Sequence, residues 1–293
     1  MTDPILPTVA DRLRALGATA ATVGRVTIGD GVVLVELLRD ATGGDGHPRR
    51  LAGLAHRPPG PVPSAVDRDV ETLLEWATGA DGPSPECVEG RDHGAIAVGV
   101  AALNALSVPF VDWQRGDPMA LLEPDVETIA TVGLFRPAFR KFDDVAVRVI
   151  ERDPVDVASV STPDGVSVSA FEPDEADAAM EGASVVFVTG SAFVYGGLER
   201  YLEAAPASAT VVLVGATASF LPGPAFDAGV DVVAGATVTD SDRVQEAIRA
   251  GACGTDLHDA GVRKVYAVCG RPSGVRLERP VDHRDERTED PSP

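Results

Sequence analysis

Lysine is nearly missing from this chain. Of 25 basic residues only Lys141 and Lys264 are lysines; the others are arginines. Set against 45 acidic residues they leave a formal net charge of −20. Charge of that sign and size opposes association with nucleic-acid phosphates or anionic lipid, so neither is expected as a partner. The carboxylates are spread along the chain rather than gathered in blocks, which fits an intracellular protein of a salt-loving microbe better than a docking face for one basic partner. In such a cell, molar salt screens self-repulsion beyond about 3 Å.

Other signals are absent too. No stretch of about 18 consecutive apolar residues suggests a membrane span. The start, "MTDPILPTVADRLRALG", lacks the basic region of a secretory leader, so a cytoplasmic location is expected. Cys87, Cys253 and Cys269 are odd in number and scattered, which argues against a disulfide framework. Nucleotide fingerprints are also lacking. Gly190 and Gly196 only approach the outer spacing of a phosphate-binding P-loop, with five residues between them instead of four, and Gly197 and Leu198 follow where lysine and a hydroxyl residue are needed. No G-x-S-x-G elbow surrounds Thr189-Gly190-Ser191.

What is present reads as two lobes and a tail. Residues 6–17 place Leu6, Val9, Leu13 and Leu16 at helical spacing. "GRVTIGDGVVLVELLRD" is a pair of strands turning at Gly29-Asp30-Gly31, and "RRLAGLAH" is a third strand. "SAVDRDVETLLEWATG" presents Val66, Val70, Leu73, Leu74 and Ala77 on one helical face. "GAIAVGVAALNALS" is apolar almost all round and reads as a buried helix, and "VDWQRGDP" reads as a connection. Residues 1–115 thus form an α+β lobe.

From residue 116 to 270, six short apolar strands (128–134, 145–150, 184–190, 210–215, 230–235 and 263–268) alternate with helical stretches, the pattern of a doubly wound parallel α/β sheet. Asp242 and Gln245 suggest a capping box for the helix over 242–250, and Gly251 a left-handed stop. "VDVASVSTPDGVSVSAF" (155–171) suggests an inserted hairpin turning at Pro163-Asp164-Gly165. Residues 271–293, rich in proline and charge, are expected to be a disordered tail.

In an open α/β sheet, ligands bind beyond the carboxyl ends of the strands. The loops expected there are "GLFRP", "TGSAFVYGG", "GATASFLPG" and "GATVTD". Their glycines let a ligand approach the backbone, and the helix after Gly196-Gly197 would aim free N–H groups at the cleft. The plain alternative is that the glycines only permit tight turns. Cys253 and His258 form a weak metal-ligand pair; their segment runs from a helix into a strand, so it is expected at the amino edge of the sheet, away from the cleft. His56 and His93 could line the cleft from the first lobe, or simply pack. Asn104, an amide in an apolar helix, must find partners, either local carbonyls or a ligand.

Together "AGLA", "IAVGVAALNAL", "VGLFRP", "VTGSAFVYGGLERYLEAA", "VVLVGATASFLPGPAFDAGVDVVAGATVTD" and "AIRAGAC", in that order, resemble the heavy-metal chelation domain family over roughly residues 6–268. The resemblance implies an N-terminal lobe like the small domain of enolase, a Rossmann-like second lobe, and a site in the cleft between them. It points to Gly53, Ala55, Asn104, Gly133, Phe135, Thr189, Gly190, Ser191, Gly196, Gly215, Thr217 and Pro222 as ligand-facing. Two departures stand out. The family's Asn-Gly is Tyr195-Gly196 here, and its Gly-Pro-Ser is Gly215-Ala216-Thr217. The expected function is binding of a small polar or metal-chelating molecule in the cleft, with a chelated metal ion as the candidate cofactor. An enzyme of transferase or lyase type acting on such a molecule is the alternative. Catalytic residues, the identity of the metal and assembly into homo-oligomers are left open.

Overall fold

The computed structural model describes residues 4–40, 48–65, 67–79 and 92–277. Cys87, Val66 and the tail from 278 onward lie outside the described residues.

The first lobe opens with helix α1 (Ile5–Ala15), whose Leu6, Val9 and Leu13 are buried. Strands β1 (Ala21–Ile28), β2 (Val32–Arg39) and β3 (Arg49–His56) then form an antiparallel sheet in that order. Two helices, α2 (Val70–Thr78) and α3 (His93–Ser107), pack on it. Each has a carboxylate at its start: Asp69 accepts from the Thr72 N–H at 2.8 Å and Asp92 from the Ala95 N–H at 2.9 Å. Helix α3 is buried all round because β2 and β3 cover one side and α2 another. With the turn that follows, His93–Phe110 is long and apolar enough to cross a membrane by length and composition, yet 78% of the stretch is buried inside the protein.

Strand β2 explains how the lobes join. Val33, Val35 and Leu37 face the core around α3, while Val32 and Leu34 face Val244, Ile248 and Leu257 of the second lobe. Both faces of a single sheet are therefore covered. Burying each such side chain contributes about 1.5–3 kcal/mol.

The second lobe is an eight-stranded sheet, ordered β4-β11-β10-β9-β8-β5-β6-β7. Its strands are β4 (Gln114–Arg115), β5 (Thr128–Val132), β6 (Ala146–Ile150), β7 (Ser167–Phe171), β8 (Val185–Thr189), β9 (Thr210–Val214), β10 (Val232–Val238) and β11 (Val262–Val268). Helices α4 (Arg136–Phe139), α5 (Ala176–Met180), α6 (Ala192–Tyr195), α7 (Leu198–Ala204), α8 (Gly223–Asp227), α9 (Ser241–Arg249) and α10 (Leu257–Ala260) connect them. Each of the six alternating strands expected here is present, and the strands from β10 to β7 pair in parallel.

Four expectations are corrected. First, β11 runs antiparallel to β10, pairing Val262 with Val238, and β4, expected as a connection, adds antiparallel to β11. Helix α9 and the turn after it return the chain to the edge where β10 ended, so β11 starts there. Second, residues 155–171 are not a hairpin. The turn at Pro163 forms, but the strand after it, β7, joins the open edge of β6 in parallel, while residues before the turn make only the short 3₁₀ turn Val157–Ser159. A sheet edge supplies more support than an isolated two-stranded ribbon. Third, α9 is capped by Asp240, which accepts from the Arg243 N–H at 3.1 Å. Gln245 is buried instead and donates to Thr27 Oγ1 of β1 at 3.0 Å. Fourth, residues 271–277 are ordered structure. Val275 is buried and bridges to Leu122, and the Arg276 N–H donates to the Leu121 carbonyl at 2.7 Å.

Candidate functional site

Chain direction around the sheet reverses between β5 and β8: β6 and β7 lie on one side of that point, β9 and β10 on the other. The loops leaving β5 and β8 therefore part and open a crevice. The first lobe roofs it through β3, and the resulting cleft has a volume of about 750 Å³.

Of the candidate residues, Ala55, Gly133, Phe135, Thr189, Ser191, Gly196, Gly215 and Thr217 line this cleft. Thr189 Oγ1 and Ser191 Oγ share a hydrogen bond at 3.0 Å, and Thr217 Oγ1 accepts from the His56 N–H at 2.9 Å. This last bond crosses from lobe to lobe and fixes the roof over the third loop.

Gly53, Asn104, Gly190 and Pro222 do not line the cleft. A Cβ on Gly53 would stand 2.2 Å from the Ala101 carbonyl and 2.3 Å from the Ala105 nitrogen, so this glycine lets β3 lie directly on α3. Gly190 plays a similar part against Ala218, and Pro222 leads into α8. Asn104 is 1% exposed, and its Nδ2 donates to the carbonyls of Leu54 at 2.8 Å and of Ala216 and Thr217, each at 3.1 Å. Its Nδ2 rivets β3 to the loop after β9, while its Oδ1 is buried without a hydrogen-bond partner among the described residues.

The loop after β8 also differs from expectation. Helix α6 intervenes before α7, and Gly196 and Gly197, with φ of 87° and 89°, turn the chain between them in a conformation that side-chain-bearing residues rarely adopt. The start of α7 is thereby carried off the cleft, and Tyr195 is put into it.

Tyr195 is the centre of a cluster that sequence patterns did not expose. Its hydroxyl lies 2.9 Å from His56 Nε2, the Arg152 guanidinium sits 3.6 Å above its ring, and His93 meets it edge-on at 5.5 Å. Burial, and then the charge of Arg152, push the His56 pKa below its ordinary value, which keeps the ring neutral at neutral pH. Beside Arg152, Glu151 accepts from the backbone N–H groups of Leu134 and Arg152, each at 3.0 Å, and ties the ends of β5 and β6 together. Arg152 follows a strand with no motif around it, so only the sheet order brings it to Tyr195.

A second polar cluster forms at Asp117, just after β4. Its Oδ2 accepts from Lys264 Nζ of β11 at 2.6 Å and from Lys141 Nζ, while Oδ1 accepts from the Met119 N–H at 3.2 Å. Burial is the largest influence on this carboxyl and pushes its pKa up. The two lysine hydrogen bonds and charges together outweigh it and hold the pKa below the usual value. Asp117, Lys141 and Lys264 all line the cleft.

His258 lines the cleft as well, which corrects its expected place at the amino edge. Because β11 is antiparallel, the turn before it lies at the carboxyl edge of β10. His258 Nδ1 is engaged with the Val262 carbonyl at 3.0 Å, and Cys253 is exposed. No group of three or more His, Cys, Asp or Glu side chains suited to a metal ion occurs among the described residues.

Comparison with known proteins fits this architecture. The sequence model of the DUF364 family, described as "Putative heavy-metal chelation", matches residues 117–267. The chain belongs to this family. A crystal structure of a DUF364 protein of unknown function from Pyrococcus horikoshii covers 91% of this chain and 100% of its own, at 20% identity and a TM-score of 0.67. Another DUF364 protein of unknown function, from Desulfitobacterium hafniense, covers 90% and 98% at 15% identity and a TM-score of 0.61. At these identities the likeness to the DUF364 structures is one of fold. No curated protein matches the chain.

Proposed function

We propose that this protein binds a small polar, metal-chelating molecule in the interlobe cleft. The observation that carries the reading is the cleft itself: about 750 Å³ at the switch point of the sheet, edged by the hydroxyls of Thr189, Ser191 and Thr217. Such a volume suits a metabolite-sized ligand. The family description speaks of chelation, but the described side chains offer no cluster that fits a bare heavy-metal ion. Chelation is therefore read as capture of a chelator, with the metal as its cargo. Native mass spectrometry with cobalt(II) alone, citrate alone and cobalt(II) citrate tests this. Retention of citrate or its complex, without retention of cobalt(II) alone, is the expected result. Tight retention of cobalt(II) alone overturns it.

A second reading, an enzyme of transferase or lyase type working on the same ligand, draws on the Tyr195–His56 pair. A neutral imidazole 2.9 Å from a phenol that faces the cleft is an arrangement able to relay a proton. Turnover of a ligand co-purified from the host, lost in Tyr195→Phe while binding persists, would favour it over simple binding.

A further inference from the structure

We infer that the cleft selects a small polyanion, a polycarboxylate or a phosphorylated molecule, and that Lys141 and Lys264 hold one of its anionic groups. The inference rests on the binding role proposed above for the cleft and adds the charge of its occupant.

The first observation is a reversal of sign. The chain carries −20, yet the charged residues lining the cleft are Arg140, Lys141, Arg152 and Lys264 against Asp117 and Glu151. Four cations to two carboxylates is an excess of positive charge inside a strongly negative molecule. Low-dielectric walls focus such a field and raise the local concentration of anions.

The second observation is the placement of the lysines. Arginine serves at every other basic position of the chain, and the two exceptions, 123 residues apart in sequence by their numbers, converge on one carboxylate. An ammonium carries three donors and no fixed plane, so it can hold one partner and still turn donors toward another. Each lysine donates to Oδ2 of Asp117, whose own charge is −1, so the trio keeps a net charge of +1. The lysine side chains remain 36% and 38% exposed, and Asp117 only 18%. The carboxylate is thus the anchor, and the ammonium groups are the part an incoming ligand can reach. Arg140 beside Lys141 adds charge to the same wall, and Arg152 supplies a cation at the far side of the switch point for a second anionic group.

The scarcity of lysine supplies the experiment. In the intact protein at fixed ionic strength, reductive methylation with peptide mapping reports on only two lysines, both in the cleft. Pyrophosphate and citrate are the anionic probes, and mannitol is the neutral one. At tenfold excess over its dissociation constant, an anion should slow modification of both lysines by about tenfold, because only the unoccupied fraction reacts. Mannitol should leave the rates unchanged. Protection by pyrophosphate but not citrate would assign a phosphorylated ligand, and the reverse a polycarboxylate. Equal protection by mannitol would leave the cleft as a binding site but overturn its selection for charge. Thermal stabilisation by an anion with no protection of either lysine would place the anion elsewhere and overturn the inference, as would a lack of any response. Asp117→Asn provides a check on direction. With the counter-charge gone, pyrophosphate should bind more tightly; weaker binding would show that the trio is only an internal tie.

Discussion

Asn104 and Asp117 each gather separate chain segments with one side chain, under opposite physical rules. Asn104 is neutral and sealed. Its amide meets three carbonyls from β3 and from the loop after β9, with 1% of the residue exposed. Asp117 is charged, and so are its partners. Taking an ion pair fully out of water can cost more than the pairing returns, and this joint stays partly wet along the cleft wall. A neutral amide can be buried with its N–H donors spent on backbone carbonyls. A charged trio at a boundary keeps donors in reach of solvent, and hence of a ligand. The residue that looked most like a ligand anchor is therefore a rivet, while Asp117 and the two lysines, none of them among the expected ligand-facing residues, line the cleft.

The largest expected effect breaks the sealed side. Gly53→Ala drives a methyl group into the backbone of α3, where contacts of 2.2 and 2.3 Å leave no room. Overpacking against backbone should cost about 3 kcal/mol or more, seen as a lower chemical-denaturation midpoint or as insoluble protein. A variant as stable as the parent would show that β3 and α3 can part without loss.

Asn104→Leu comes next. It removes the donor shared by three carbonyls, of which that of Ala216 keeps Ser219 Oγ at 2.7 Å, and should cost about 2–3 kcal/mol, measured by urea unfolding. Citrate or pyrophosphate affinity of the folded fraction should stay unchanged, because Asn104 does not line the cleft. A selective loss of affinity at parental stability would return Asn104 to the site.

Asp117 should show itself in acid. Its folded pKa lies below the ordinary value, so its contribution is complete above the unfolded value of about 3.9 and is lost as pH falls through the folded one. Melting temperatures from pH 7 downward should therefore drop below about pH 4 in the parent, and less steeply in Asp117→Asn. Identical acid limbs would mean that the lysines do not stabilise the carboxylate.

The smallest effect concerns His56. Its folded pKa is also depressed, so the unfolded chain takes up a proton first. Stability is full above about pH 6.5 and declines as pH falls toward the folded value. His56→Gln should flatten the melting profile in that window while leaving the stability at pH 8 within about 1 kcal/mol of the parent. An unchanged slope would remove burial of the imidazole as its cause.

Both the strand-and-helix order and most of the loops around the cleft were readable in the sequence, for a local reason. Apolar runs such as "VVFVTG" and "TVVLVG" fix buried strands by their own composition, and each hands its chain to a loop whose edge of the sheet follows from parallel winding. Gly133, Thr189, Ser191, Gly215 and Thr217 reach the cleft by that logic alone. Strand direction at a sheet edge is not local. Nothing in "RKVYAV" marks it as antiparallel, and that single reversal moves His258 and Lys264 to the carboxyl edge. The same holds for Asn104, since a helix sequence says that an amide needs partners but not whether they are carbonyls or a ligand. It holds again for Tyr195, Arg152 and Asp117. What the sequence determined by itself was the alternation of elements, because burial patterns are written residue by residue. Only the tertiary structure decided which charges meet across the cleft, because those meetings depend on sheet order and on how one lobe roofs the other.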